Sequence, residues 1–136
     1  MTTAALWFGA AFIALGGRAE AAELLMFEQA GCPFCRAFDE EIAPGYPDSR
    51  AGQVAPLRRV DIHEDRRGGI AELAPAVFTP TFVLLGDDGR EIGRLEGYPG
   101  RRWFYPEIET LIDRLPESGS EPSVAMPDPA LPAPRP

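Results

Sequence analysis

The apolar and polar positions of this chain predict four strands and three helices between residues 23 and 115. Glu23-Leu24-Leu25-Met26-Phe27 is a short apolar strand, and Arg36-Ala37-Phe38-Asp39-Glu40-Glu41 favours helix. The turn formers from Ala43 to Asp48 stop that helix near Ile42, and Ser49–Val54 fits neither pattern. Leu57, Val60 and Ile62 alternate imperfectly with polar residues, which predicts a strand over Pro56–Ile62 that ends near Asp61. Asp65–Ala74 predicts a short helix, weakened by Gly68-Gly69. The β-branched and aromatic run after Pro80 predicts a strongly apolar strand, Gly86-Asp87-Asp88-Gly89 a hairpin turn, and Arg90–Glu96 the returning strand. Beyond a break at Gly97–Gly100, Trp103, Phe104, Ile108, Leu111, Ile112 and Leu115 recur at helix spacing. Trp103 and Phe104 are expected in the core, and Pro106 is expected in the helix's first turn or at the helix's start. The order is β-α-β-α-β-β-α. A helix between two strands implies a right-handed crossover, and the hairpin adds antiparallel strands. The fold class is therefore α/β, a mixed four-stranded sheet flanked by helices.

The two ends differ from this body. Ala4–Leu15 is an unbroken apolar run of 12 residues. That is shorter than the roughly 20 residues of a membrane span and suits the core of a signal peptide. Ala19-Glu20-Ala21 supplies a cleavage pattern, although Met1-Thr2-Thr3 carries no Lys or Arg. The alternatives are an uncleaved anchor or a buried first strand. Residues 1–21 are expected to be a signal peptide and 22–116 the domain. From Glu117 the chain has prolines at 122, 127, 129, 132, 134 and 136 among small residues, so 117–136 is expected to be a disordered Pro-rich tail. A PxxP-type ligand role is the minor reading of that tail.

Composition narrows the class. The net charge is −8, from 13 basic residues, all Arg, and 21 acidic ones. With no basic run, the chain is a poor fit for nucleic acid or anionic membrane surfaces. The charge, with no large apolar patch predicted, points to a monomer.

The chemistry lies in Gly31-Cys32-Pro33-Phe34-Cys35-Arg36, which holds the two cysteines of the chain. Positions three apart share one helix face. With Cys32 as N-cap and Pro33 at the first helical position, the N–H groups of Phe34 and Cys35 point toward the Cys32 sulfur. The positive end of the helix dipole favours a thiolate there, and Cys35, one turn inward, can attack a mixed disulfide formed on Cys32. One bland alternative is an inert local disulfide, but its short loop constrains the unfolded chain little. Another is half of a zinc site, yet the chain has no second Cys pair and one His. His63, between acidic residues at a strand end, reads as a surface histidine. Export would place the pair in an oxidising compartment.

These features together resemble the thioredoxin superfamily. The matching strings are L-L-M-F-E-Q-A-G-C-P-F-C-R (24–36), F-T-P-T-F-V-L-L (78–85) and G-R-E-I-G-R-L-E-G-Y (89–98). M-F-E-Q-A-G-C-P-F-C, P-L-R-R-V-D-I, F-T-P-T-F-V-L and G-R-L-E-G-Y-P-G are similar to the exported SoxS-type thioredoxins of bacterial sulfur-oxidation (Sox) gene clusters. The resemblance implies a periplasmic thiol–disulfide oxidoreductase with no cofactor beyond the redox-active Cys32–Cys35 disulfide. It implies a reductase of protein disulfides or thiol adducts, with the Sox thiosulfate-carrier protein as substrate. Electrons would come from a membrane thiol transporter of the CcdA/DsbD type. It also implies a cis-proline at Pro80, with the Thr79 backbone offered to an extended substrate.

The chain departs from the family pattern at Met26, where typical thioredoxins carry a buried Asp. Glu28, two residues on and on the same strand face, is a possible proton relay to Cys35 if it is buried. A solvated carboxylate is the preferred reading of it. Phe34, between the cysteines, is expected to be exposed as a docking contact. Gly97 would let a substrate backbone approach, with Tyr98 beside it. Two rival functions stand beside the reductase. One is a disulfide-donating oxidase, against which the missing helical insertion argues. The other is a non-catalytic redox-sensing or binding module with the tail as recruiter.

Overall fold

A computed structural model describes residues 21–116. The signal-peptide and tail expectations lie outside these residues. The elements are β1 (Glu23–Glu28), α1 (Pro33–Glu41), a 3-10 turn (Tyr46–Asp48), α2 (Arg50–Val54), β2 (Leu57–Asp61), β3 (Thr81–Leu85), β4 (Glu91–Glu96) and α3 (Arg101–Ile112). The sheet order is β2-β1-β3-β4. β1 pairs parallel with β2 and antiparallel with β3, and β3 pairs antiparallel with β4. The expected mixed four-stranded α/β sheet is therefore present.

β1 and β3 sit in the middle, so both of their faces are buried. That is why they read as continuous apolar runs. Leu24, Met26, Phe82 and Leu84 face α1 and α3. Leu25, Phe27, Val83 and Leu85 face the other way, onto Ile62, Leu73 and Ala76. On the helical side, Phe38, Phe82 and Phe104 form a triangle with ring centroids 4.9–5.2 Å apart. It ties α1, β3 and α3 together, and tilted pairs of this kind each contribute about 0.5–1.5 kcal/mol beyond burial. The Tyr46 hydroxyl donates to the Ala55 carbonyl at 2.8 Å, and burial pushes its phenol above the ordinary range.

Three sequence expectations need correction: the Asp65–Ala74 helix, Trp103 and Pro106. The helix expected over Asp65–Ala74 is absent, and the order has α2 before β2 in its place. Residues 62–80 form a loop of turns, such as Leu73 N–H to Ile70 carbonyl at 3.1 Å. Gly68 and Gly69 have φ of +60° and +81°, outside the helical range. Gly68 also packs so closely that a Cβ there would lie 2.8 Å from Leu25 Cδ1. The ambiguous Ser49–Val54 supplies the missing helix. The Ser49 hydroxyl caps it by accepting from Gly52 N–H at 3.0 Å.

Trp103 is not core but 53% exposed, with the Arg102 guanidinium 5.1 Å from its ring. Phe104, Ile108, Leu111 and Ile112 fill the inner stripe of α3, and Trp103, one position earlier, faces away. Pro106 lies inside α3 rather than in its first turn. Its ring has no N–H to donate to the carbonyl of Arg102 one turn back, and both residues are exposed, so this break in the ladder lies on the solvent side. Lastly, Leu57 packs with the helical side while Val60 packs with the loop side, so β2 serves both faces.

Candidate active site

The end of β1 hands the chain through Gln29–Gly31 to α1, and this junction places the cysteines. Cys32 is the N-cap of α1, with extended backbone (φ −76°, ψ 111°) and Pro33 at the first helical position. Proline's fixed φ starts the helix, and its missing N–H falls where a helix has no partner for one. The Cys35 N–H donates to Cys32 Sγ at 3.1 Å. The two sulfurs are joined in a disulfide with Cα atoms 5.3 Å apart, as i, i+3 spacing allows. Both cysteines pack against the helical-side core with Met26. Reduction leaves the Cys32 sulfur with its N–H donor and the helix N-terminus, both of which stabilise a thiolate.

A hollow of about 310 Å³ opens beside the disulfide. Glu28, Gln29, Cys32, Cys35, Arg36, Asp39 and Asp61 line it. Glu28 reaches this hollow, but its carboxylate is paired with Arg59 Nη1 at 2.5 Å and is part-exposed. Arg59 also holds Asp39 at 2.5 Å. Partial burial works against the Arg59 charge, and Asp39 and Glu28 outweigh it, raising its pKa. At this exposure each ion pair contributes about 0–1 kcal/mol.

Arg59 and Asp39 escaped the sequence reading. The signals were the partnering of Arg59 with Met26 across the parallel pair, which puts both on one sheet face, and the i+4 spacing of Asp39 from Cys35. Among the described residues no group of three or more His, Cys, Asp or Glu side chains forms a metal cluster.

Other candidate residues surround this centre. Phe34 is 61% exposed between the cysteines. The Thr79–Pro80 peptide bond is cis, and Pro80 is buried. The Pro80 carbonyl accepts from Gly97 N–H at 2.8 Å, which ties the loop before β3 to the end of β4. The Thr79 N–H and carbonyl have no hydrogen-bond partner among the described residues. Gly97 has φ +88° and open space where a Cβ would stand. Tyr98 does not point into open space. It packs on Phe38 and Phe104, and its hydroxyl donates to Glu41 at 2.5 Å. Desolvation and that carboxylate push its phenol up. His63 is exposed, and its N–H is held by the Asp61 carboxylate at 2.8 Å. His63 and Thr79 line a second hollow, which shares Gln29 with the first.

The comparisons agree with this geometry. Residues 8–112 match the thioredoxin-like domain family. No curated protein sequence matches the chain significantly. Among solved structures, the reduced periplasmic thioredoxin SoxS from Paracoccus pantotrophus is 43% identical. That match covers 68% of this chain and 97% of that one, with a TM-score of 0.60. The Malassezia sympodialis thioredoxin Mala s 13 is 20% identical over 68% of this chain and 78% of that one, with a TM-score of 0.51, a likeness of fold alone. A CxxC disulfide at the strand-to-helix junction supplies the chemistry without a bound cofactor, and the chain belongs to the thioredoxin-like family as a thiol–disulfide oxidoreductase.

Proposed function

We propose that this protein is a periplasmic reductase that restores the cysteine of a Sox thiosulfate-carrier protein. The observation that carries the reading is the 43% identity to periplasmic SoxS across nearly all of that protein, with the CPFC pair at the junction described above. A second support is the short stretch between α1 and β3, which holds a 3-10 turn, a five-residue helix, β2 and the loop 62–80. The helical insertion of dedicated superfamily oxidases has no counterpart there.

The reaction runs in two exchanges. The Cys32 thiolate attacks a sulfur of the target disulfide, forms a mixed disulfide and releases the first target thiolate. Cys35 then gives up its proton and attacks Cys32 Sγ, which closes the Cys32–Cys35 disulfide and releases the second thiolate. Two electrons pass to the target, and the released thiolates take up protons. If the target is a sulfur adduct on a thiol, the adduct's sulfur leaves in the first or second exchange in the same way. Phe34 contacts the partner, Thr79 offers backbone to its extended segment, Gly97 leaves room for that segment to approach, and Pro80 holds that loop. Glu28, part-exposed and paired with Arg59, fits the solvated carboxylate better than a relay to Cys35. Each cycle leaves the protein oxidised, so a membrane thiol transporter of the CcdA/DsbD type supplies the electrons. The protein works as a monomer.

The test uses purified carrier protein with its cysteine blocked as a mixed disulfide. Pre-reduced protein should return the free thiol, Cys32→Ser should return none, and Cys35→Ser should stop at a covalent complex with the carrier. Failure of the wild-type protein to free the thiol would remove the carrier from the account.

A further inference from the structure

The second hollow differs in chemistry from the one beside the disulfide. It measures about 320 Å³, and it adjoins the first hollow through Gln29. Three carboxylates line the first, those of Glu28, Asp39 and Asp61. No carboxylate of the described residues lines the second, although the chain as a whole carries a charge of −8. Its charged side chain is Arg66.

Arg66 is held from behind. Its Nε donates to the Ala76 carbonyl at 2.7 Å, and its own carbonyl accepts the Ala76 N–H at 2.7 Å. The two terminal guanidinium nitrogens have no acceptor among the described residues. The nearby acids along the chain are engaged elsewhere or stand off the hollow. Asp61 accepts from His63 N–H at 2.8 Å, and Asp65 accepts from the N–H groups of Arg67 at 2.7 Å and Gly69 at 2.5 Å. Glu64 does not line the hollow. At the same rim Val77 is 67% exposed and Phe78 48%. Scattered exposed apolar side chains need no explanation, but these two are adjacent, next to an unpaired guanidinium, and they precede Thr79 with its unpaired backbone.

We propose that this hollow is a specificity subsite for an extended partner segment that carries an acidic side chain close to the cysteine attacked by Cys32. Arg66 receives the carboxylate in a bidentate contact, Val77 and Phe78 cover the segment's apolar flank, and the Thr79 backbone pairs with its main chain. The proposal rests on the thiol–disulfide reading of Cys32 and adds a substrate class to it: cysteine-bearing segments flanked by Asp or Glu are favoured over those flanked by Lys or Arg.

The experiment uses pre-reduced full-length protein in single-turnover mode. The substrates are three short peptides, each with one cysteine joined by a mixed disulfide to the same chromogenic thiol. They differ only in having Glu, Gln or Lys at positions flanking the cysteine. The expected order of second-order rate constants is Glu above Gln above Lys, by about two- to fivefold per step at low salt, the range of an exposed ion pair. Added sodium chloride should compress the series. Arg66→Glu should invert the order, and Arg66→Lys should keep it. If Arg66→Glu fails to fold, the wild-type salt dependence with the three peptides still decides. Equal rates for the three peptides, or an order unmoved by salt, overturns the subsite. An uncharged small disulfide, hydroxyethyl disulfide, separates the two layers. If it is reduced while the peptides are equal, the subsite alone falls. If it is not reduced at all, the thiol–disulfide reading falls first.

Discussion

The two faces of the sheet are closed in different ways. One is covered by α1 and α3, whose inner side chains lock Phe38, Phe82 and Phe104 into one cluster that also holds both cysteines. The other is covered by the loop 62–80, which lays Ile62, Leu73 and Ala76 on Leu25, Phe27, Val83 and Leu85 without a helix. The difference divides the labour. The helical side fixes the disulfide, because a helix N-terminus must be rigid to aim its N–H groups at one sulfur. The loop side ends in Thr79 and Pro80 and leaves backbone unpaired at its rim. The helix-covered face carries the disulfide, and the loop-covered face carries the backbone and the hollow that are proposed to meet a partner.

The largest effect expected from breaking this contrast is at Phe104, which is fully buried on the helical side. Phe104→Ala removes the hub of the triangle and should cost about 3–5 kcal/mol in urea unfolding, a large share of a small domain's stability. Its counterpart on the loop side is Gly68→Ala. The new Cβ would press on Leu25 Cδ1 at a backbone angle that L-residues rarely adopt. A loss of roughly 1–3 kcal/mol is expected, since a loop can shift where a helix cannot. Equal losses at the two sites would erase the contrast.

The smallest effect lies at Asp65, half-buried in the same loop. The N–H groups of Arg67, Gly69 and Gly68 hold its carboxyl below the ordinary value, the Arg67 contact most of all. A depressed carboxyl contributes stability above its ordinary pKa, and that contribution is lost as pH falls through the folded-state value. Asp65→Asn should therefore lower the urea midpoint slightly at neutral pH, and the gap from wild type should close in strong acid. A gap that widened in acid would reverse the sign of this account.

The same contrast explains what could be read in the sequence. The central strands and the start of α1 were legible because their signals are local. The apolar run Leu24–Phe27, the Cys32-Pro33 helix start, and the Thr81–Leu85 strand with its hairpin each declare themselves within a few residues. The loop side was misread as a helix. Ile70 and Leu73 stand three apart, which imitates a helix stripe, while the tight fit of Gly68 on Leu25 depends on a strand more than 40 residues away, by the difference 68 − 25 = 43. α2 was missed because five residues carry too little periodicity, and its clearest signal was the single cap at Ser49. Trp103 was misassigned because periodicity alone does not say which residue begins the inner stripe. Arg59 and Asp39 joined the site through strand pairing and helix register, which become visible once the sheet order is known.

The most direct test of the reductase account is the reduction potential of the Cys32–Cys35 pair, measured by equilibration against dithiothreitol or glutathione buffers. A value of about −270 mV, the thioredoxin range, is the result predicted for a reductase fed by an upstream donor. A value of about −120 mV would make the protein a disulfide donor and would contradict both the reductase reading and the carrier-restoring role built on it.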